Sequence, residues 1–258
     1  MKFTLQSLSE KMRAVSVAVG LFFVAGSVTA DEVGVAVAAN FTDAARDLVP
    51  LFEQATGHTV KVSFGSTGKL YAQIEHGAPF EVFLAADSKR PKKAEAQGLA
   101  IEGTRFTYAI GKLALWNPKS DVFKDPEAYL KEGGFARAAI ANPKTAPYGL
   151  AAQQVMEQLG IWTVLQSKLV RGDSIAQTFQ FVATENAEVG FVALSQVSAW
   201  KAGEGSVWEI PQSYYAPIEQ QAVLLKKGNN KPAAKAFLNF LKSKAARTVI
   251  RGYGYGVE

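Results

Sequence analysis

The sequence predicts an α/β protein of two lobes, each a mainly parallel sheet flanked by helices. Three observations carry that expectation. Short apolar runs alternate with stretches of helical periodicity from residue 31 onward. The alternation comes in two separate sets, and a chain of 258 residues is long enough to give each set its own core. Two further strand-like segments, "FTYAIGKLALW" and "PIEQQAVLLKK", belong to neither set and read as adjacent strands crossing between the lobes.

The elements follow in order. "VGVAVAA" (33–39) is an uninterrupted apolar run, as a buried strand requires. "FTDAARDLVPLFEQATG" then puts Phe41, Ala44, Ala45, Leu48, Leu51 and Phe52 on one helical face, and Gly57 ends the helix. "TVKVSFG" alternates Val60, Val62 and Phe64 as a strand. "KLYAQIEHG" is a short helix closed by Gly77, and "FEVFLAAD" a third strand. Strand, helix, strand, helix, strand implies crossover connections and parallel pairing.

The second set repeats the pattern. "RAAIANP" is a strand and "YGLAAQQVMEQLG" a helix; "KLVRG" is a short strand and "SIAQTFQFVATENA" a helix. "EVGFVALSQV" holds a strand and the start of a helix. The closing "KPAAKAFLNFLKSKAARTVIRGYGY" reads as one long amphipathic helix and a turn. Lobe 1 is expected to comprise 31–111 and 218–258, and lobe 2 112–217, joined by a two-strand hinge.

The first 30 residues read differently. Lys2, Lys11 and Arg13 precede an uncharged, mostly apolar run from residue 14 to 26, and Val28-Thr29-Ala30 supplies small residues for cleavage. That is a secretory signal peptide, too short to span a bilayer. The mature chain is expected to be exported to the periplasm and to begin at Asp31. Its removal takes Lys2, Lys11 and Arg13 against Glu10, a net +2, so the formal charge drops from +5 to +3. The lysines and arginines are scattered, whereas nucleic-acid binding wants a clustered basic face. The densest run, Lys89-Arg90-Pro91-Lys92-Lys93, reads as a solvated helix start. There is no cysteine. Disulfides, thiol nucleophiles and Cys-ligated zinc are therefore excluded.

The chemistry points to the turns that follow strands. "FGSTGKL" (64–70) looks like a phosphate cradle, but Gly65 and Gly68 are too close together for a nucleotide loop, and Leu70 stands where a hydroxyl would hold magnesium. A narrower role remains for Ser66 and Thr67, two hydroxyls opening a helix. Asn40, with Asp43 three residues on, resembles a capping box at the first helix. Pro147-Tyr148-Gly149 opens a third helix, and Asp173-Ser174 a fourth. All four turns fall at the carboxyl edge of a parallel sheet, where open α/β sheets bind ligands. Helix N-termini carry free N–H groups and roughly half a positive charge each, which suits a small dianion. Each turn also has a plainer reading as a helix cap or a tight bend.

Enzyme readings find little to stand on. There are two histidines, His58 after a helix end and His76 beside Gly77. No Gly-x-Ser-x-Gly elbow and no His-Glu-x-x-His helix occurs. The adjacent Tyr214 and Tyr215 would suit a metal-ion carrier, but they fall outside the helix-start turns.

With those turns placed, the sequence resembles the periplasmic molybdate-binding protein family. The resemblance covers essentially all of the chain after residue 30. It rests on "VAVAANFTDAARDLVPLFEQATGHTVKVSFGSTGKLYAQIEHGAPFEVFLAAD", "FTYAIGKLALW", "ANPKTAPYGLAAQQVMEQLG", "EVGFVALSQV" and "RGYGYG". It implies the type II periplasmic solute-binding fold, two lobes closing over a bare tetrahedral oxyanion that is handed to the membrane permease of an ABC importer. It also implies ligand roles: the Asn40 side chain, the Thr67 hydroxyl and amide with Ser66 beside them, Tyr148 at the start of its helix, and the Ile175 amide. Some members carry a ligand tyrosine where this chain has Ala193. The ligand implied is molybdate, with tungstate, held as an oxyanion with no direct protein–metal bond, no cofactor and no enzymatic activity. A sulfate or other oxyanion carrier is the alternative. A monomer is the default.

Overall fold

The structure is a computed structural model that describes residues 30–203 and 205–257. The expected signal peptide (1–30) lies outside the described residues but for Ala30.

The first sheet is built from β1 (Glu32–Ala38), β2 (Thr59–Gly65), β3 (Val82–Leu84), β4 (Phe106–Gly111) and, far along the chain, β10 (Ile218–Leu224). The second holds β5 (Leu113–Asn117), β6 (Ala138–Ala141), β7 (Leu169–Gly172), β8 (Val189–Ala193) and β9 (Ser206–Glu209). The helices are α1 (Thr42–Thr56), α2 (Thr67–Glu75), α3 (Lys89–Ala96), α4 (Pro126–Glu132), α5 (Pro147–Gln158), α6 (Trp162–Leu165), α7 (Ile175–Ala183), α8 (Leu194–Ala199), α9 (Pro232–Leu241) and α10 (Lys244–Gly252).

The strand orders are β2-β1-β3-β10-β4 and β7-β6-β8-β5-β9. In each sheet one strand runs against the rest: β10 is antiparallel to β3 and β4, and β5 to β8 and β9. Both are the first strands the chain enters after changing sheets. β4 ends at Gly111 and β5 starts at Leu113, so the chain arrives at the carboxyl edge of the second sheet and must run down it. β10 repeats this in the other direction after β9. Two connections at facing carboxyl edges therefore join the lobes and explain the two reversed strands.

Each sheet is covered on both faces. In lobe 1, Phe41, Leu48 and Phe52 pack with Phe237, Leu241 and Ile250 on one side of β1, while Leu70, Tyr71 and Ile74 pack with Phe83 on the other. In lobe 2, Leu115, Ile140, Met156 and Phe191 form one core, and Trp116, Phe179 and Val182 the other. Burial on two faces is why these strands read as continuous apolar runs.

Four local expectations are corrected. Asn40 caps nothing: it sits in a 3₁₀ turn (Ala39–Phe41), Phe41 holds the N-cap position of α1, and no capping box forms with Asp43. Leu51 and Phe64 are each 39% exposed: Leu51 falls outside the buried stripe, and Phe64 lies on edge strand β2. The closing segment is two helices. Ser243 accepts from the Ala246 N–H at 3.1 Å and caps α10, so the helical period restarts there. "FTYAIGKLALW" splits at Lys112 into β4 and β5; β4 pairs with β10 inside lobe 1. Gly57 does end α1 in the left-handed conformation, at φ 72°.

Candidate functional site

The four helix-start turns meet where the lobes face each other. Asn40 and α2 stand on lobe 1; Tyr148 and Ile175 stand on lobe 2. Direct contacts tie the turns together. The Asn40 Nδ2 lies 3.5 Å from the Tyr148 Oη. The Gly68 N–H donates to the Thr145 carbonyl at 2.8 Å, joining the start of α2 to the loop before α5. Lys69 pairs with Asp173 at 2.7 Å, joining α2 to the turn before α7. Ser195, on α8, donates to the Asn40 carbonyl at 3.0 Å. This is the closed form of a two-lobed molecule.

Asn40, Ser66, Thr67, Tyr148 and Ile175 are all buried. Thr67 and Ile175 are first residues of their helices, Tyr148 is the second residue of its own, and Asn40 lies in the 3₁₀ turn. First-turn N–H groups have no acceptor within their own helix. Four residues with N–H groups of that kind are thus buried where the two lobes face each other.

The Asn40 side chain is not among them. Its Nδ2 donates to the Gln220 Oε1 at 2.8 Å and to the Tyr255 Oη at 3.0 Å, which uses both amide hydrogens inside the protein. The Asn40 backbone carbonyl accepts from the Tyr255 hydroxyl at 2.7 Å as well as from Ser195. The Asn40 side chain, expected to meet the ligand, is thus engaged within the protein, which leaves its backbone N–H as the candidate donor. Sequence reasoning missed Gln220, Ser195 and Tyr255 as partners of Asn40 because they come from three distant segments, although each lay within a stretch read beforehand: "PIEQQAVLLKK", "EVGFVALSQV" and "RGYGYG".

Ser66 and Thr67 differ in kind. The Thr67 Oγ1 accepts from the Ala86 N–H at 3.0 Å, so its hydroxyl is positioned and its hydrogen remains to donate. The Ser66 Oγ, at the N-cap of α2, is buried with no hydrogen-bond partner, as is the Thr145 Oγ1. A buried hydroxyl without a partner is uncommon, since desolvating it costs roughly 1–3 kcal/mol. Ile175 is held from behind: the Gln196 Nε2 donates to its carbonyl at 3.2 Å, and the Gln196 Oε1 accepts from the Ala193 N–H at 3.1 Å. Ala193 is fully buried at the end of β8, and its N–H is taken by Gln196.

Two of the cations near the cleft are paired with carboxylates. Lys69 has Asp173, and Arg90 is paired with Asp87 while also donating to the Lys144 carbonyl at 3.1 Å. Burial pushes the Tyr148, Tyr108 and Tyr255 phenols well above their ordinary value, so each stays neutral. The chemistry available is that of neutral donors in a place of low dielectric constant, suited to a small anion that carries no proton.

Two open clefts flank this centre. One, of about 220 Å³, is lined by Arg90, Lys144, Pro147 and Glu219; the other, of about 300 Å³, by Asp43, Arg46, Gln180 and Trp200. Neither is lined by any of the five expected site residues. The histidines serve structure: His58 accepts from the Asp31 N–H at 3.2 Å, and His76 contacts the Ala72 carbonyl at 2.7 Å. Tyr214 bonds Glu127 while Tyr215 accepts from the Leu113 N–H, so the tyrosine pair does not converge on one point.

A family described as bacterial extracellular solute-binding protein matches residues 33–256. The chain belongs to this family. Within it, the chain falls with the periplasmic molybdate-binding proteins. It is 52% identical over 254 residues to the molybdate-binding protein ModA of Azotobacter vinelandii, across 97% of this chain and 100% of the relative. It is 51% identical to ModA of Rhodobacter capsulatus, across 98% of each. A solved structure of the Azotobacter vinelandii periplasmic molybdate-binding protein superposes with a TM-score of 0.84 at 42% identity, over 88% of this chain and 99% of that one. A sulfate-binding protein from Mycobacterium tuberculosis shares the fold, with a TM-score of 0.74 at 14% identity.

Proposed function

We propose that this protein captures molybdate, and tungstate with it, as a tetrahedral dianion and delivers it to the permease of an ABC importer. The observation that carries the reading is the orphaned Ser66 hydroxyl, buried at the N-cap of α2 among first-turn N–H groups from both lobes. The donors are the amides of Asn40, Thr67, Tyr148 and Ile175 and the hydroxyls of Ser66 and Thr67. Molybdate and tungstate carry no proton at neutral pH and want donors only. Lys69 and Arg90 are paired with Asp173 and Asp87, which favours neutral groups as the donors to the anion. Each charge-assisted hydrogen bond contributes about 1.5–3 kcal/mol.

The rest of the reading follows from this role. The protein works as a periplasmic monomer freed of its signal peptide, without catalysis or cofactor. Lobe 1 comprises 31–111 and 218–258, and lobe 2 112–217. Titration calorimetry of the mature chain with molybdate, tungstate, sulfate and phosphate tests the reading. Submicromolar binding of the first two with weak sulfate binding is the expected result; tight sulfate binding that molybdate cannot displace would make this a sulfate carrier.

A further inference from the structure

We infer that the phenol of Tyr148 is a positioning group that locks lobe closure, separate from the backbone donor at the same residue. The inference rests on the oxyanion-binding reading above. Tyr148 is 1% exposed and stands on α5 of lobe 2, yet its side chain ends among residues of lobe 1. The fully buried Gln220, on β10, donates from Nε2 to the Tyr148 Oη at 3.3 Å. Gln220 is itself held: its Oε1 accepts from Asn40 at 2.8 Å and from the Tyr108 hydroxyl at 3.1 Å. Tyr108 lies opposite an irregularity in the β4–β10 ladder, where Gln220 pairs with Ala109 and Gln221 with Thr107. That bulge turns the Tyr108 and Gln220 side chains toward each other.

The socket has a floor that only glycine provides. Gly111 is the last residue of β4, immediately before the chain crosses to lobe 2. A Cβ there would overlap the phenol oxygen and stand 3.0 Å from the Tyr148 Cζ and 2.9 Å from the Gln220 Nε2. The walls of the socket therefore belong to lobe 1 and to the crossing itself, while the occupant belongs to lobe 2. Opening the lobes withdraws the phenol and lets water reach Gln220. Closing them replaces that water with the phenol oxygen. Tyr148 thus joins the two events: its N–H meets the anion at the start of α5, and its hydroxyl reports that lobe 1 has arrived. Closure stabilised in this way slows release of the anion and leaves its entry untouched.

The test uses the mature chain, molybdate, and stopped-flow kinetics with small-angle scattering to read closure. Tyr148→Phe keeps the ring and the N–H and removes only the oxygen, so Gln220 loses its acceptor in the closed form alone. Dissociation should quicken by about three- to tenfold with the association rate unchanged. Gly111→Ala should weaken binding by more than about tenfold and leave a larger open fraction at saturating molybdate. The double variant decides the matter. Removing the oxygen relieves the overlap, so Gly111→Ala with Tyr148→Phe should bind better than Gly111→Ala alone. Unchanged dissociation in Tyr148→Phe, or losses that add in the double variant, overturns the inference while leaving molybdate binding by the unaltered chain intact. Failure of the unaltered chain to bind molybdate overturns the underlying reading, and this inference with it. If Gly111→Ala does not fold, the Tyr148→Phe kinetics decide alone.

Discussion

Gly68 and Thr145 touch backbone to backbone across the two lobes. The Gly68 N–H, in the first turn of α2, donates to the Thr145 carbonyl at 2.8 Å, so this donor serves closure and is not left for the anion. A Cβ on Gly68 would stand 2.9 Å from both the Thr145 Cα and its carbonyl oxygen. Those are backbone atoms with no rotamer to yield. The second glycine of "GSTG" is there because the opposite lobe comes that close.

Gly68→Ala should therefore bind molybdate at least about tenfold more weakly, because closure would force backbone apart. Within lobe 1 the added Cβ meets the end of the Arg90 side chain at 3.0 Å, which can swing aside, and alanine favours a helix over glycine by up to about 1 kcal/mol, so the ligand-free melting temperature should hold or rise. Calorimetry beside thermal melts would show it; equal affinity would mean that the lobes close less tightly in solution.

Ser66 and Thr67 should separate binding from stability. The Ser66 hydroxyl has no partner among the described residues, so Ser66→Ala should weaken molybdate binding by about 1–3 kcal/mol with little change in ligand-free stability. Thr67→Val removes the acceptor of the buried Ala86 N–H and should lower stability and binding together. Denaturant titrations with and without molybdate distinguish the two patterns.

The Lys69–Asp173 pair is half-exposed, so its contribution is expected to be small. Lys69→Met should reduce affinity by no more than about fivefold, and less at high salt. A loss of a hundredfold would show a lysine gripping the anion and would sink the neutral-donor reading.

Stability should be flat across neutral pH and fall on the alkaline side. Burial raises the Tyr108, Tyr148 and Tyr255 phenols in the folded state above the ordinary value of 10.0, so the folded chain holds protons that the unfolded chain releases. Their contribution is fully present below that value and is lost progressively above it. Chemical denaturation between pH 7 and 11 would show the decline; constant stability up to pH 11 would contradict the burial of these phenols.

The sequence by itself determined the two α/β sets, most of their strands and helices in order, and the four turns that open helices at the carboxyl edges. Those features are local. They follow from apolar period, from glycine and proline punctuation, and from hydroxyl and amide residues at helix starts, and each is visible within a dozen residues. Asn40, Ser66, Thr67 and Tyr148 stood out at helix starts for that reason, while Ile175 and the ligand roles came only from the family resemblance. Tertiary structure alone decided what each atom does. The Asn40 amide turns inward because Gln220 and Tyr255, 180 and 215 residues away, present acceptors there. The Tyr148 phenol crosses to the other lobe because Gly111 leaves room for it. The closing helix breaks at Ser243 because its hydroxyl caps a new start, where period alone carried one helix through. Pairings between segments so far apart leave no periodic trace in the chain, because they are fixed only when distant segments pack together in the folded molecule.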